Sequence, residues 1–153
     1  MIEIRKILFP TDFSEYSQHA LRYAAALAES FKAKLYVMHA CEHPFVGAGM
    51  EAYHFAVPEF SAEVQEQEKK TLEQITEALR AKNIDAEPLF VTGKAYLEIV
   101  KCAKEMDIDV ITLATHGHKG ISHLVFGSTA EKVVRLAPCP VLTVKHPEHD
   151  FVT

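Results

Sequence analysis

Short apolar segments alternate with longer amphipathic segments along the whole chain, and this order limits the possible folds more than any other feature. Five segments rich in apolar and β-branched residues are predicted strands, namely residues 4–10, 34–40, 86–92, 109–115 and 140–145. Four segments with apolar residues at helical spacing are predicted helices, within residues 11–31, 59–82, 96–106 and 128–137, and Ser14 is placed to cap the first. Because crossovers between parallel strands are right-handed, this alternation predicts a mainly parallel sheet with helices on both faces.

A chain of 153 residues is long enough to bury one substantial core, so we predict a single α/β domain over residues 1–153. The predicted fold is a Rossmann-like open sheet of five strands in the order 3-2-1-4-5. Residues 41–58 lack a clean hydrophobic period and are predicted to form a long loop, and residues 146–153 are predicted to form a C-terminal tail. In open sheets of this class, ligands bind beyond the carboxyl ends of the strands, where the strand order reverses.

The charge and cysteine content argue against several classes of protein. The net charge is −5 and the acidic residues are spread along the chain, so the basic field that attracts duplex DNA or an anionic membrane is missing. Cys41, Cys102 and Cys139 are far apart and form no CxxC motif, which argues against a disulfide framework or a zinc site. No apolar run approaches the ~18 residues that cross a bilayer. We therefore expect a soluble cytoplasmic protein that binds neither nucleic acid nor membranes.

The segment ATHGHKGISHLVFGST, residues 114–129, connects the fourth predicted strand to the fourth predicted helix. A helix start exposes unpaired N–H groups and the positive end of the helix dipole, which stabilise an anion. Gly117 and Gly120 allow the backbone to approach a ligand closely, and Ser128 and Thr129 supply hydroxyl donors. These features suit a chain of phosphates. The alternative is structural, because Ser128 and Glu131 also have the Ser-x-x-Glu spacing of a capping box.

The chain resembles the universal stress protein family nearly from end to end, from KILFPTDFS to CPVLTVK. Members of that family that bind ATP carry a glycine, two residues, a second glycine, nine residues, and then a glycine followed by serine or threonine. Here Gly117 and Gly127 enclose nine residues and Ser128 follows. The first glycine of the pattern falls on Ala114, a small departure that matters if the position requires a positive φ or contacts the ribose.

The resemblance implies a role for each matching position. Asp12 would accept hydrogen bonds from the ribose hydroxyls, with Pro10 and Thr11 beside the base, whereas Ala40 and Leu113 would line the adenine pocket. The phosphates would be held at the glycines and hydroxyls of the segment before the fourth helix. The complete predicted set of nucleotide contacts is Pro10, Thr11, Asp12, Ala40, Leu113, Ala114, Thr115, His116, Gly117, Gly120, Gly127, Ser128 and Thr129.

The predicted cofactor is ATP, with Mg²⁺ or Mn²⁺ carried by the nucleotide and water, and no catalytic or metal-ligating residue is predicted. The resemblance also implies a homodimer through the last strand, with Val141, Leu142, Thr143 and Val144 near the axis; the alternative is a monomer whose tail covers that edge.

Other interpretations of these residues are open at this point. Asp12 would also serve as a turn residue before the first helix. Thr-His-Gly-His at residues 115–118 is similar to a nucleotidyltransferase signature, but there the signature follows the first strand, and we treat the match as coincidence. His116 and His118 alternate as metal ligands often do, but no third ligand is specified by spacing.

Three functions follow from these interpretations. The first is an ATP-binding regulatory protein in a stress response. The second is a family member that binds no nucleotide and acts through an unknown protein partner. The third is a slow ATPase or a protein that phosphorylates itself at Ser128 or Thr129. Dedicated phosphoryl transfer requires a metal held by acidic residues and a placed nucleophile, and Asp12 is the only acidic residue expected at the site.

Overall fold

A computed structural model of the chain describes residues 1–42, 57–117 and 126–145, with side chains for all of these except 57–61. The strands are β1 (Lys6–Pro10), β2 (Lys34–Cys41), β3 (Ala86–Thr92), β4 (Val110–Ala114) and β5 (Val141–Val144). The helices are α1 (Glu15–Phe31), α2 (Val57–Arg80), α3 (Ala95–Glu105) and α4 (Ser128–Leu136). Strand and helix therefore alternate as the hydrophobic pattern predicts.

The five strands form one parallel sheet in the order β3-β2-β1-β4-β5, which confirms the predicted fold and strand order. In the middle of the sheet, Ile7 of β1 pairs with Leu35 of β2 on one side and with Val110 of β4 on the other. The chain moves outward in one direction from β1 to β3, and in the opposite direction from β4 to β5. The connections after β1 and β4 consequently diverge, and a crevice opens between them at the carboxyl end of the sheet.

The core consists of two apolar layers, one on each face of the sheet. Ile7 and Phe9 point to the layer under α1 and α2, and Leu8 points to the layer under α3 and α4. All three side chains are at most 1% exposed. A strand that is buried on both faces requires a continuous apolar run, and this explains why β1 shows no alternation of polar and apolar residues.

Ser14 caps α1 as predicted, because its hydroxyl accepts a hydrogen bond from the backbone N–H of Ser17 at 3.2 Å. Strand β1 begins at residue 6 instead of residue 4, and Asp109 supplies the reason. Its carboxylate accepts from the amides of Arg5 and Lys6, both at 2.8 Å, so these two amides bond to a side chain, while the Arg5 carbonyl accepts from the N–H of Lys34 of β2 at 2.8 Å.

The predicted loop 41–58 is too long at both ends. Cys41 pairs with Thr92 and is the last residue of β2, and α2 already begins at Val57. Pro58 does not prevent this early start, because proline is tolerated in the first turn of a helix, where its missing N–H has no intrahelical partner. Residues 43–56, residues 118–125 and the predicted tail 146–153 lie outside the described residues.

Candidate functional site

A cavity of about 840 Å³ lies at the carboxyl ends of β1, β2 and β4, where the strand order reverses. Its volume falls in the range of small-molecule sites. Twelve of the thirteen predicted contacts line it, namely Pro10, Thr11, Asp12, Ala40, Leu113, Ala114, Thr115, His116, Gly117, Gly127, Ser128 and Thr129. The thirteenth, Gly120, lies outside the described residues. The fold therefore brings together residues that are more than a hundred positions apart in the chain.

Thr11 anchors the turn that follows β1. Its N–H donates to the carbonyl of Met38 at 2.8 Å, and its hydroxyl accepts from the N–H of Phe13 at 3.0 Å. The same hydroxyl shares a 2.9 Å hydrogen bond with Ser17 of α1. Phe13 has a φ of 65°, a left-handed conformation that is uncommon for a residue other than glycine. Several hydrogen bonds thus hold a strained turn in one conformation.

Asp12 lies at the centre of this turn and has the turn role that we considered for it. Its Oδ1 accepts from the N–H of Ser14 at 3.0 Å, one residue before α1 begins. Its Oδ2 faces Gly117 of the segment after β4, because a Cβ added to Gly117 would collide with that oxygen and lie 3.3 Å from Cγ. A side chain at position 117 would force the Asp12 carboxylate to move, and the two connections meet there.

Gly127 brings the start of α4 against the end of β4. Its N–H donates to the carbonyl of Thr115 at 2.7 Å, and a Cβ at this position would lie 3.1 Å from the same oxygen. Contacts this short between a Cβ and a backbone oxygen force one of the two to move. Glycine at this position thus permits a backbone-to-backbone approach that sets where α4 begins.

The first turn of α4 carries no side-chain cap. Gly127 is the N-cap residue and has no side chain to cap the helix, and among the described residues no side chain accepts a hydrogen bond from the first turn. Ser128 is already helical, so the capping box with Glu131 is not formed, and Glu131 lies 3.6 Å from Arg135 instead. The first amides of α4 therefore lack the carboxylate or hydroxyl partner that many helices provide for themselves, and Ser128 and Thr129 line the cavity beside them.

Ala114 stands where the family pattern has its first glycine, and its backbone does not require one. It is the last residue of β4, pairs with Val144, and has no positive φ. An alanine at this position is therefore free of backbone strain, so the departure from the pattern leaves the cavity wall intact.

His116 presents a buried polar atom at the cavity. Its Nδ1 shares a 2.9 Å hydrogen bond with the hydroxyl of Thr115, and its ring lies 5.7 Å from that of Tyr16. Its Nε2 is buried and finds no hydrogen-bond partner within the described parts of the chain. Buried polar atoms in folded proteins are nearly always satisfied, so this nitrogen is suited to a partner beyond the described residues.

His39 of β2 lies behind the Asp12 turn, and the sequence analysis did not single it out. Its Nδ1 lies 2.8 Å from the carbonyl of Thr11 and must carry a proton, because a carbonyl only accepts. Its Nε2 lies 3.5 Å from Glu68 Oε2 of α2, and its ring stacks on Phe13 at 4.3 Å. His39 is 8% exposed, so it joins the turn to α2 through the interior. The alternation of side chains along β2 could have indicated that His39 points inward, because it shares a face of the strand with Leu35 and Val37.

The cysteines are protonated thiols. Burial, with a smaller contribution from the neighbouring Glu68 carboxylate, raises the pKa of Cys41 to about 11. Burial also raises the pKa of Cys102 and Cys139, and none of the three forms a disulfide. A thiol with a raised pKa is a poor nucleophile at neutral pH.

The far wall of the cavity comes from α3 and α4, and the sequence analysis missed it. Glu42 caps α3, since its Oε1 accepts from the N–H of Ala95 at 2.8 Å. Lys94 and Lys132 direct their ammonium groups at the ring of Tyr96, with Nζ 5.9 Å and 4.7 Å from its centroid. The carboxylates of the cavity come from β1, β2 and α2, and these two ammonium groups come from α3 and α4.

The described residues contain neither a metal-binding cluster nor a membrane-spanning helix. No group of three or more histidine, cysteine, aspartate or glutamate side chains is arranged there to hold a metal ion. No described helix combines the length and the apolar character needed to span a membrane.

Comparisons with known proteins agree with this architecture. Residues 3–145 match the model of the universal stress protein family. Universal stress protein MJ0531 of Methanocaldococcus jannaschii is 33% identical over 147 residues, which cover 95% of this chain and 85% of that protein. Universal stress protein YxiE of Bacillus subtilis is 32% identical over 146 residues, covering 92% of this chain and 98% of that protein.

Solved structures show the same fold. The structure of MJ0577, also from M. jannaschii, has a TM-score of 0.83 at 27% identity and covers 97% of this chain and 100% of that one. Universal stress protein UspA from Lactobacillus plantarum has a TM-score of 0.83 at 23% identity, covering 94% of this chain and 99% of that one. On the combined match of sequence and fold, this chain belongs to the universal stress protein family.

Proposed function

We propose that this protein binds ATP in the cavity and acts as a nucleotide-dependent regulatory protein of a stress response. One observation carries the proposal: the uncapped first turn of α4 opens into the cavity at Gly127, Ser128 and Thr129. An anion at a helix N-terminus is stabilised by typically ~0.3–1 kcal/mol from the dipole alone, and direct N–H and O–H donors add to this.

The rest of the cavity suits an adenosine. Ala40 and Leu113 offer small and apolar walls for the base, next to Pro10 at the end of β1. Asp12 is held by Ser14 in a fixed position from which its carboxylate would accept from the ribose hydroxyls. The phosphates would then extend toward α4, with Mg²⁺ or Mn²⁺ held by the phosphates and water.

Two proteins of this fold have been solved with adenine nucleotides. One universal stress protein structure is a complex with cAMP, at a TM-score of 0.67 and 22% identity. A universal stress protein from Archaeoglobus fulgidus was solved with dAMP, at a TM-score of 0.64 and 22% identity. At this identity the likeness to our chain concerns the fold, and the ligands are properties of those proteins.

The proposed role is regulatory because the cavity offers a binding surface and little catalytic machinery. Phosphoryl transfer needs acidic residues that hold a metal and a placed nucleophile or water. Asp12, the acidic residue closest to Gly117, is already engaged by Ser14. We therefore propose that bound nucleotide alters the surface around the cavity mouth, which a partner protein recognises, with negligible turnover.

Isothermal titration calorimetry with ATP and magnesium tests the proposal. We expect saturable binding to the wild-type protein, and loss of binding in Asp12→Ala and Gly127→Val. An absence of both heat and thermal shift at millimolar ATP would contradict it and favour a member that acts through protein contacts alone. Phosphate release well above that of Gly127→Val would instead indicate a hydrolase.

We also propose a homodimer through β5, which lies at one edge of the sheet. Leu142 is 39% exposed there, whereas the side chain of Val144 is buried in the core and would contribute only its backbone. Unpaired backbone groups at such an edge favour pairing with a second chain. Sedimentation velocity of the wild type and of Leu142→Glu distinguishes a dimer from a monomer.

The three unpaired thiols support our proposal of a cytoplasmic location.

A further inference from the structure

We propose that Lys94 and Lys132 form a clamp for the distal phosphates and make the cavity selective for nucleoside triphosphates over monophosphates. This inference rests on the proposed function and deepens it, because it names the residues that would distinguish nucleotides by their number of phosphates. Neither lysine belongs to the glycine-rich pattern, and both line the same cavity as Ser128 and Thr129.

The direction of the Lys132 side chain follows from helix geometry. Lys132 is four residues after Ser128 and three after Thr129, so all three lie on one side of α4. In a helix each Cα–Cβ bond tilts toward the N-terminus, and a long side chain covers the preceding turn. In the structure the Lys132 ammonium lies over the Tyr96 ring and lines the same cavity as Ser128 and Thr129, and this geometry would let it extend toward the first turn of α4, where the phosphates would lie.

Lys94 reaches the same region from α3. It is the N-cap residue of that helix, and its ammonium lies 5.9 Å from the Tyr96 ring, which the Lys132 ammonium approaches to 4.7 Å. A ring that attracts two cations through its face brings two like charges together. Such a pair is stabilised by a ligand with several negative charges, since Lys acts as a mobile point charge for phosphate.

Neither ammonium is neutralised by the described parts of the protein. Among those residues no carboxylate oxygen lies within 4.0 Å of either Nζ. Glu42, the carboxylate at the start of α3, keeps its negative charge and accepts from the N–H of Ala95 through Oε1, but it forms no ion pair with Lys94. Both lysines are exposed, so the clamp is open for a ligand.

The uneven distribution of charge sets the orientation of the ligand. The carboxylates of Asp12 and Glu68 lie toward β1 and α2 and would repel a triphosphate, and Glu42 would do so beside the start of α3, whereas Lys94 and Lys132 supply two positive charges on the side of α3 and α4. A single phosphate at the first turn of α4 already satisfies the helix. The second and third phosphates have the lysines as their partners.

Calorimetric titration of ATP, ADP and AMP, each with magnesium, tests the clamp in the wild type, Lys94→Gln, Lys132→Gln and the double variant. We expect each substitution to weaken ATP binding about fivefold, from ~1 kcal/mol per charge pair in water, and AMP binding less than twofold. The double variant should then lose about 25-fold for ATP if the effects add. Lys69→Gln is the matched control, because Lys69 also lies over a ring, 5.2 Å from Phe90, but does not line the cavity.

Two results separate failure of the clamp from failure of the proposed function. If the wild type binds ATP and the double variant keeps the wild-type ratio of ATP to AMP affinity within twofold, the clamp is wrong and ATP binding stands. If the wild type binds none of the three nucleotides, the proposed function fails and the clamp fails with it. Circular dichroism and thermal melting of each variant establish that the exposed substitutions leave the fold intact.

Discussion

The starts of α1 and α4 both lie beside the cavity, and their first amides are satisfied in opposite ways. At α1 the protein supplies its own partners: Asp12 accepts from the N–H of Ser14, and Ser14 accepts from that of Ser17. At α4 the N-cap is Gly127, which has no side chain, and within residues 1–42, 57–117 and 126–145 no side chain accepts from the first turn. An N-cap side chain stabilises a helix by typically ~1 kcal/mol, so α4 forgoes this stabilisation at the place where a ligand would supply it.

Helix α3 shows that the difference is not a property of the cavity as a whole. Its N-cap residue, Lys94, makes no side-chain cap, yet Glu42 reaches over from the end of β2 and accepts from Ala95. Of the three helix starts at this cavity that the structure describes, two are satisfied by carboxylates or hydroxyls of the protein. The starts of α1 and α3 are thus satisfied within the protein, whereas the start of α4 is the one that we propose for the ligand.

The largest expected effect concerns Cys41. It tests whether the part of the structure near α1 and α2, where Cys41 lies, is closed to reagents in solution. Cys41 packs beside Glu68, and its pKa rises from 9.0 to about 11, which lowers the thiolate fraction about 100-fold at pH 8. Site-resolved mass spectrometry should find Cys41 the slowest of the three cysteines to react with iodoacetamide, with the rate rising as the pH approaches 11.

The same shift has a consequence for stability. The folded state holds the Cys41 proton more tightly than the unfolded chain, so its contribution is complete below about pH 9 and is lost as the pH rises toward 11. Cys41→Ala should flatten the decline in unfolding free energy over this range. Preferential labelling of Cys41 at pH 8 in the folded protein would show that Cys41 is open to reagents in solution and would contradict the prediction.

The second prediction tests the point where the two connections meet. In Gly117→Ala the new Cβ collides with the Asp12 carboxylate, and we expect ATP affinity to fall roughly 30-fold, from ~2 kcal/mol of overpacking. The substitution should have little further effect in an Asp12→Ala background, because the colliding oxygens are then absent. Because Asp12→Ala is itself expected to lose ATP binding, the double-mutant cycle is measured on the unfolding free energy by urea denaturation, and additive effects would show that the two loops act independently.

The third prediction exchanges the two helix starts. Ser14→Ala removes the cap of α1 and should lower the unfolding free energy by about 1 kcal/mol. Ser128→Ala should leave the unfolding free energy within about 0.5 kcal/mol and lower ATP affinity about tenfold, because its hydroxyl is offered to the ligand. Urea denaturation and calorimetry on both variants make the comparison. A stability loss at Ser128 that equals the loss at Ser14 would remove the distinction between α1 and α4.

The smallest expected effect concerns the cap of α3. Glu42→Gln keeps an oxygen that accepts from Ala95 and removes one negative charge from the cavity wall, so ATP affinity should rise about two- to threefold. Glu42→Leu, which removes the cap as well, should lower the melting temperature. Unchanged ATP affinity in Glu42→Gln across a range of ionic strength would show that the Glu42 charge does not reach the phosphates.

Local sequence predicted the features that depend on neighbouring residues. The cap at Ser14 follows from a residue type and a position, and the strands follow from apolar runs that only a buried sheet accommodates. The pattern of Gly117, Gly127 and Ser128 could also be identified from the spacing of residues within one segment of the chain. Ser128 shows the limit of such reasoning, because its spacing to Glu131 fits a capping box equally well.

Contacts between distant segments decided the rest. The N–H of Gly127, just before α4, donates to the carbonyl of Thr115, just after β4. This hydrogen bond places the start of α4 one residue earlier than the capping box requires. His39 and Glu42 reach the cavity from the end of β2, Lys94 from the start of α3 and Lys132 from α4. Each looks like an ordinary polar residue among its own neighbours.

The sequence by itself determined the alternation of strands and helices, the parallel sheet and the glycines that allow close backbone approach, because these depend on hydrophobic periodicity and on the absence of a Cβ. Only the tertiary structure decided which helix N-terminus is left for a ligand and where the charges around it lie. The physical reason is that capping and electrostatic pairing depend on distances in space. Those distances are set once the crossovers bring the ends of β1, β2 and β4 to one edge of the sheet.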